Sequence, residues 1–240
     1  MLNPELAERV GTLLGATVVS SVTAQGGFSP ATRERVVLSD GRRAFVKAAT
    51  GPNTAGWLRD EWRIYGALQA SWLPVVLGWD EALPLLVLED LGACGRAPPW
   101  TEEALTAVLS SLEQMQRTEP PAGLSRVDRA GFQGWAKTLA DPTGFLGLGV
   151  CGARWAQGAL PRLAEAEAAA DFGGDHLLHL DLRGDNLFLR GGGAVLVDWN
   201  WAEIGDPVLD RAFWAPSLQL DGGPPPERVV GHEPELAAAV

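Results

Sequence analysis

The chain carries only two cysteines, Cys94 and Cys151, in 240 residues. They lie far apart and near no histidine cluster. That leaves no basis for a disulfide framework or a zinc site, and ordinary thiols are expected. Long apolar runs are also missing. None reaches the length of a membrane span, so no membrane partner is expected. The first residues, Met1-Leu2-Asn3-Pro4-Glu5, lack the basic and apolar segments of a signal peptide, and a cytoplasmic location is the expectation. Basic charge is scarce: 19 Lys and Arg stand against 30 Asp and Glu, a net charge of -11. A nucleic-acid partner needs a basic face and is not expected. The acidic balance suits solubility, and it also suits a cationic small molecule. Tyrosine occurs once, beside ten tryptophans. Core roles account for most of such tryptophans, with some lining a cleft. Nothing in the sequence specifies an oligomeric state.

What is present is the composition of a soluble globular protein, 46% hydrophobic and 20% charged, long enough to bury a sizeable core. Apolar residues Leu6, Val10, Leu13 and Leu14 recur at helical spacing between Pro4 and Leu14, with proline suited to the first turn. The period then changes. Thr17 to Thr23, Arg33 to Leu38 and Arg43 to Ala48 read as three strands of an antiparallel meander. The glycine loop Gln25-Gly26-Gly27-Phe28-Ser29 forms the first turn of that meander. A helix is expected from Thr54 to Gln69, with Trp57, Leu58, Glu61, Ile64, Tyr65 and Leu68 on one face. Strands at Val75 to Trp79 and Leu85 to Glu89 bring the sheet to five. Gly92, Gly95, Pro98 and Pro99 then mark a linker. Helices follow at Thr101 to Arg117, Arg129 to Leu139 and Ala153 to Ala170. Beyond them come the polar loop at His179, strands at Leu187 to Leu189 and Val195 to Val197, and a helix after Pro207. The domains expected are a strand-rich lobe at residues 1–91 and a helix-rich lobe at residues 92–240.

The chemistry concentrates in His179-Leu180-Asp181-Leu182-Arg183-Gly184-Asp185-Asn186, followed by Val197-Asp198-Trp199. Phosphoryl transfer needs a carboxylate near the acceptor hydroxyl, oxygen ligands for Mg²⁺ and a cation on the nucleotide phosphates. Asp181 can serve the hydroxyl, and Asn186 and Asp198 can offer oxygens to the metal. Magnesium takes few protein ligands, so one Asn and one Asp suffice. Each residue alone reads better as part of a capped turn, and it is the joint spacing and strand context that favour phosphoryl transfer. A second signal lies far away. Lys47 is a lone charge in the apolar strand Ala44-Phe45-Val46-Lys47-Ala48, and Glu61 is a lone charge on an apolar helix face. An ion pair between them would solve both problems and aim the ammonium at phosphates. The competing arrangement leaves Lys47 in water and pairs Glu61 with Arg59 or Arg63.

The pattern His-x-Asp-x-x-x-x-Asn followed by hydrophobic-Asp resembles the catalytic and metal loops of the aminoglycoside phosphotransferase and choline kinase-like families. These families share the protein kinase fold. Leu180 stands where protein kinases have Arg, and Trp199-Asn200 where they have Phe-Gly. The resemblance covers residues 14–217. It implies an α+β, two-lobed protein kinase-like fold. In that fold a five-stranded antiparallel sheet and one helix precede a mostly helical lobe with a catalytic-loop hairpin. It implies ATP or GTP as co-substrate with Mg²⁺, Asp181 as catalytic base, and Asn186 and Asp198 as metal ligands. Gly26 and Gly27 take the place of the phosphate loop, supported more by position than by letters. Lys47, held by Glu61, belongs on the phosphates. Glu89 and Leu91 would meet the nucleotide base through backbone hydrogen bonds. Asp206 and Asp210 fall in a further element of the family, with Asp206 suited to cap a helix. The family usually continues with C-terminal helices that help build the acceptor pocket, and here the sequence ends at Val240. The expected activity is transfer to a hydroxyl of a small molecule, an aminoglycoside-type acceptor being favoured. Choline-like, sugar or amino-alcohol acceptors, and a nucleotide-binding module without turnover, are the alternatives. The absence of Asp-Phe-Gly and of Ala-Pro-Glu after Asp198 weighs against a protein kinase.

Overall fold

The computed structural model describes residues 2–26 and 29–231. They form two compact units, residues 1–115 with 183–202, and residues 116–182 with 203–240.

The first unit is built on a sheet of five antiparallel strands in the order β1-β2-β3-β5-β4. The strands are β1 (Val18–Thr23), β2 (Thr32–Leu38), β3 (Arg43–Ala48), β4 (Val76–Asp80) and β5 (Leu85–Glu89). Period-two alternation gives the sheet two different faces. Val36, Leu38, Ala44, Val46, Ala48, Leu85 and Val87 are buried together against helix α1 (Pro4–Leu14). The α1 termini match their residues: the Asn3 side chain accepts from the Glu5 N–H, and Gly15 closes the helix with φ 65°. Register places the intervening residues on the opposite face. Arg33 lies opposite Lys47, and Phe45 opposite both Arg35 and Leu88. Helix α2 (Pro52–Ala67) buries Leu58, Glu61, Ile64 and Tyr65. Trp57 departs from the expected face and is exposed, whereas Leu68 lies beyond the last helical turn in extended backbone.

A hairpin of β7 (Leu187–Arg190) and β8 (Gly193–Leu196) belongs to the same unit. Several bonds fix it there. Gly95 and Leu189 exchange backbone hydrogen bonds at 3.0 and 2.9 Å, and Leu196 N–H donates to the Trp72 carbonyl at 2.8 Å. Ser111, buried on helix α3 (Glu102–Gln116), accepts the Ala194 N–H at 2.8 Å. Thr101 caps α3 by accepting the Ala104 N–H.

The second unit is mainly helical. It contains α4 (Gly134–Ala140), α5 (Thr143–Gly147), α6 (Ala153–Ala169), α7 (Val208–Leu220) and α8 (Glu227–Val230). The sequence pattern reads one helix from Arg129 to Leu139. The structure has a 3-10 turn at Arg129–Gly131, and α4 starts only at Gly134, because glycines at 131 and 134 interrupt the helix. The α4 amides of Trp135 and Ala136 donate to the buried Glu167 carboxylate of α6 at 2.9 and 2.8 Å. Two three-residue strands, β6 (His176–Leu178) and β9 (Glu203–Gly205), pair antiparallel. They are too short to show a period in sequence. Their flank is tight: a Cβ on Gly174 would come within 2.4 Å of the Gly205 carbonyl oxygen.

Ser111 should be a structural keystone of the hairpin. Ser111→Ala leaves the buried Ala194 N–H without its acceptor and should lower stability by about 1–3 kcal/mol. Urea unfolding monitored by tryptophan fluorescence measures this, and an unchanged midpoint would refute the role.

Candidate active site

A cavity of about 550 Å³ opens on the second face of the five-stranded sheet, wholly within the first unit. Gln25 and Gly26, Arg33 and Arg35, Phe45 and Lys47 line it from the first three strands. Leu88 to Gly92, Cys94 and Arg96 line it after β5, and Asp185, Asn186, Phe188, Val197 and Asp198 from the hairpin segment. No tryptophan is among the described residues lining it.

Lys47 is the centre of charge. It is 7% exposed. Its Nζ donates to Glu61 Oε2 at 2.6 Å and to Asp198 Oδ1 at 2.7 Å. Burial opposes the ammonium, but the charges of Glu61 and Asp198 outweigh it and hold the Lys47 pKa above the ordinary lysine value. Arg59 and Arg63, the competing partners for Glu61, pair with Glu81 and Asp60 instead. The sole tyrosine, Tyr65, sits one turn beyond Glu61 and donates to its Oε1 at 3.1 Å.

Asp198 is one of two non-glycine residues in the left-handed region among the described residues, at φ 71°. Aspartate tolerates this conformation better than most residues. The next residue anchors the turn: Trp199 is fully buried, donates from Nε1 to the Leu196 carbonyl at 2.9 Å and packs at a tilt of 42° against Trp72. Asn200, with its amide oriented by its neighbours, donates to Asp198 Oδ1 at 2.8 Å. The Val197 N–H donates to the Asn186 main-chain carbonyl at 3.1 Å, which ties the two candidate metal-binding loops together. Asn186 and Asp198 offer only oxygen donors that suit a hard cation. Among the described residues no group of three His, Cys, Asp or Glu side chains forms a metal cage. Magnesium leaves most of its positions to phosphate and water, so a carboxylate and an amide fit it.

Gly26 has φ 91° and open space where a Cβ would stand, so its backbone can approach a ligand. Gly27 lies outside the described residues. Leu91 is buried in a 3-10 turn, and its carbonyl accepts the Cys94 N–H. Glu89 uses its side chain as well as its backbone. Its carboxylate accepts from Arg190 Nη1 at 2.7 and 2.8 Å and from the Val75 N–H at 2.8 Å, fastening β7 to β5.

Asp181 lies in the second unit, at the end of an over-determined turn. Leu180 is the other non-glycine residue with positive φ, at 59°. Asp210, fully buried on α7, accepts the His179 N–H at 3.1 Å and the Leu180 N–H at 2.7 Å. His179, also fully buried, accepts the Asp181 N–H on Nδ1 at 3.2 Å. Asp206 accepts the Val208 N–H at the start of α7. Strain at Leu180 of about 1–3 kcal/mol is thus held by a carboxylate placed under the loop.

A family model described as the phosphotransferase enzyme family matches residues 22–230. The chain belongs to this family. Comparison with curated protein sequences gives no match. Among solved structures, the phosphotransferase is similar to spectinomycin phosphotransferase APH(9)-Ia in complex with ADP and spectinomycin. That likeness has a TM-score of 0.64 and 12% identity, over 100% of this chain and 78% of the other. It is similar to choline kinase LicA from Streptococcus pneumoniae, with a TM-score of 0.62 and 14% identity over 98% and 77% of the two chains. It is also similar to APH(2'')-IIa in a ternary complex with streptomycin and ATP, with a TM-score of 0.59 and 14% identity over 96% and 86%. At these identities the likeness concerns the protein kinase-like fold.

Three residues escape the sequence reading, two at the cavity of the first unit and one in the second unit. Asp90 accepts from Arg35 Nε and Nη2 at 2.8 and 3.0 Å, from Arg43 at 3.0 Å and from the Gly92 N–H at 2.9 Å. Burial works against its charge, yet Arg35, the Gly92 amide and Arg43 together hold its carboxyl below the usual range. A Cβ on Gly92 would stand 1.9 Å from Arg35 Nη2, so a side chain there would displace the guanidinium from its place on Asp90. The role of Asp210 is the third. Its signal was available: a charge on the buried face of an apolar helix, the same signal that singled out Glu61.

Full burial pushes the Asp210 carboxyl up to about 6, even though the Leu180 and His179 amides favour its charged form. The folded protein therefore binds this proton more tightly than the unfolded chain. The stabilising contribution is complete below the ordinary value of 3.8 and is lost as pH rises through about 6. The loss is of order 3 kcal/mol. The stability advantage of wild type over Asp210→Asn should shrink by that order between about pH 4 and about pH 7 in urea unfolding. A pH-independent difference would contradict the buried protonation.

Proposed function

We propose that the chain transfers the γ-phosphoryl group of ATP or GTP, as its Mg²⁺ complex, to a hydroxyl of a small molecule, an aminoglycoside-type acceptor being favoured. The observation that carries this reading is the buried Lys47 ammonium, gripped by Glu61 and Asp198, on a cavity shared with Gly26 and Asn186. Phosphoryl transfer asks little covalent chemistry of the protein and depends on position and charge. Lys47 would meet the phosphates, with Glu61 keeping it in place. Gly26 and Gly27 would bring backbone N–H groups to the same phosphates. Glu89 and Leu91 would meet the base through their main chain. Asn186 and Asp198 would hold Mg²⁺, which neutralises charge on the phosphate oxygens. Asp181 would accept the proton of the acceptor hydroxyl as its oxygen bonds to the γ-phosphorus and the bond to the β,γ-bridging oxygen breaks. ADP or GDP and the phosphorylated alcohol are the products.

The acidic balance of the chain supports a cationic acceptor. The spectinomycin and streptomycin complexes of similar fold support the aminoglycoside class, and the choline kinase keeps an amino-alcohol acceptor in view. Choline-like compounds and sugars therefore belong in the same screen.

Asp181→Ala should retain Mg-nucleotide binding and lose transfer by a factor of about a hundred or more. A coupled assay across aminoglycosides, choline and sugars measures this, and equal turnover by the variant would sink the base assignment. Asp198→Ala should lose the Mg²⁺-dependent part of nucleotide affinity in calorimetry, and unchanged affinity would remove its metal role. Wild type should melt at higher temperature with Mg-ATP or Mg-GTP. No shift with either nucleotide would argue for a function without nucleotides, and binding without transfer to any acceptor would favour a regulatory module.

A further inference from the structure

Two cations face each other across the strand pair β2 and β3. Arg33 and Lys47 are directly opposed in the antiparallel register, and both line the cavity. Like charges in directly opposed positions destabilise a sheet, so the pairing calls for an anion that both can share. Lys47 has its own carboxylates in Glu61 and Asp198. Arg33 turns towards the glycine loop instead. Its Nη2 donates to the Ser29 carbonyl at 3.1 Å and its Nη1, more loosely, to Ser29 Oγ at 3.4 Å. Both acceptors are neutral, so these bonds place the guanidinium without cancelling its charge. Arg35, two residues along the same face, is committed to Asp90 through a two-bond fork at 2.8 and 3.0 Å.

We infer that Arg33 is a second phosphate-binding cation of the cavity: from β2 its guanidinium takes oxygens of the same phosphates that Lys47 reaches from β3. This rests on the Mg-nucleotide reading given above. Charge balance is the reason. One ammonium with two carboxylates leaves the Lys47 corner net negative. The phosphates of a nucleoside triphosphate stay anionic with their Mg²⁺ bound, so Lys47 alone cannot offset both. A further cation on the same face restores the balance, and the register puts Arg33 there. A guanidinium suits the task, because its planar fork of N–H groups matches two phosphate oxygens at once and cannot lose its charge. The same side chain holds the Ser29 end of the glycine loop, so phosphate capture and the position of that loop are coupled through one residue.

The test is Arg33→Gln, which removes the charge and keeps a hydrogen-bonding side chain, with Arg33→Lys as the charge-retaining partner. Calorimetry with Mg²⁺ compares the nucleoside, monophosphate, diphosphate and triphosphate of adenine and of guanine, beside circular dichroism and thermal melting. Both variants should fold, and nucleoside affinity should match wild type. Triphosphate affinity should fall by about tenfold to a hundredfold in Arg33→Gln, as for loss of a hydrogen-bonded charge pair, with smaller losses as phosphates are removed. Arg33→Lys should fall between the two, because it keeps the charge and loses the fork. Added KCl should weaken triphosphate binding more steeply in wild type than in Arg33→Gln. Equal triphosphate affinity in wild type and Arg33→Gln overturns the proposal alone. So does a loss that is the same for nucleoside and triphosphate, which would mark a general distortion of the cavity. Absence of nucleotide binding in wild type would overturn the underlying reading and the proposal together.

Discussion

A buried ammonium with two carboxylates around it organises the first unit. Lys47 cannot remain charged at 7% exposure without compensation, and two partners supply it from opposite ends of the sequence. Glu61 comes from α2, fourteen residues away, and Asp198 from the hairpin, 151 residues away. Removing the ammonium would leave two carboxylates uncompensated in a low-dielectric site. This requirement ties β3, α2 and the Asp198 loop into one constellation. The sheet serves it through alternation: the residues flanking Lys47 in β3, Val46 and Ala48, go to the apolar cluster under α1, and Lys47 itself goes to the cavity.

Within each unit, further loops and termini are held by hydrogen bonds that end on single side chains. Ser111 takes the Ala194 amide and fixes the hairpin to α3. Asp90 gathers Arg35, Arg43 and the Gly92 amide just after β5. In the second unit Asp210 takes two amides of the turn before Asp181, and Glu167 takes two at the start of α4. The Ala194 and His179 amides are buried, and each would be left there at a cost of about 1–3 kcal/mol without its acceptor. Among the described residues the two non-glycine residues with positive φ are Leu180 and Asp198, one in each of the loops that carry the family's motifs.

The sheet and α1 were legible because their periods are strong. Pro4–Leu14 and Arg43–Ala48 have the bounds that spacing and capping predict. The Lys47–Glu61 pair was legible for a related reason, since a lone charge in each of two apolar segments is a conflict that pairing resolves. Other features left weaker traces. The strands β6 and β9 have three residues each and no period to read. Trp57 fits the apolar face of α2 by spacing and is nonetheless exposed, because spacing does not say how far the neighbouring elements extend. Asp90 looked like the first residue of a linker, and its clustering of two arginines depends on β2 and β3 lying beside β5.

By itself the sequence determined the family, the five strands of the sheet with the helices before and within it, and the residue types that phosphoryl transfer needs. These follow from local period and from motif spacing, which are properties of short segments. Tertiary structure decided which distant groups share a charge. It returned residues 183–202 to the first unit, set Asp198 against Lys47, put the Tyr65 hydroxyl on Glu61 and placed Asp210 under the turn at Leu180. The physical reason is that a buried polar group takes whichever partner the fold brings within hydrogen-bond reach, and nothing in the local sequence names that partner.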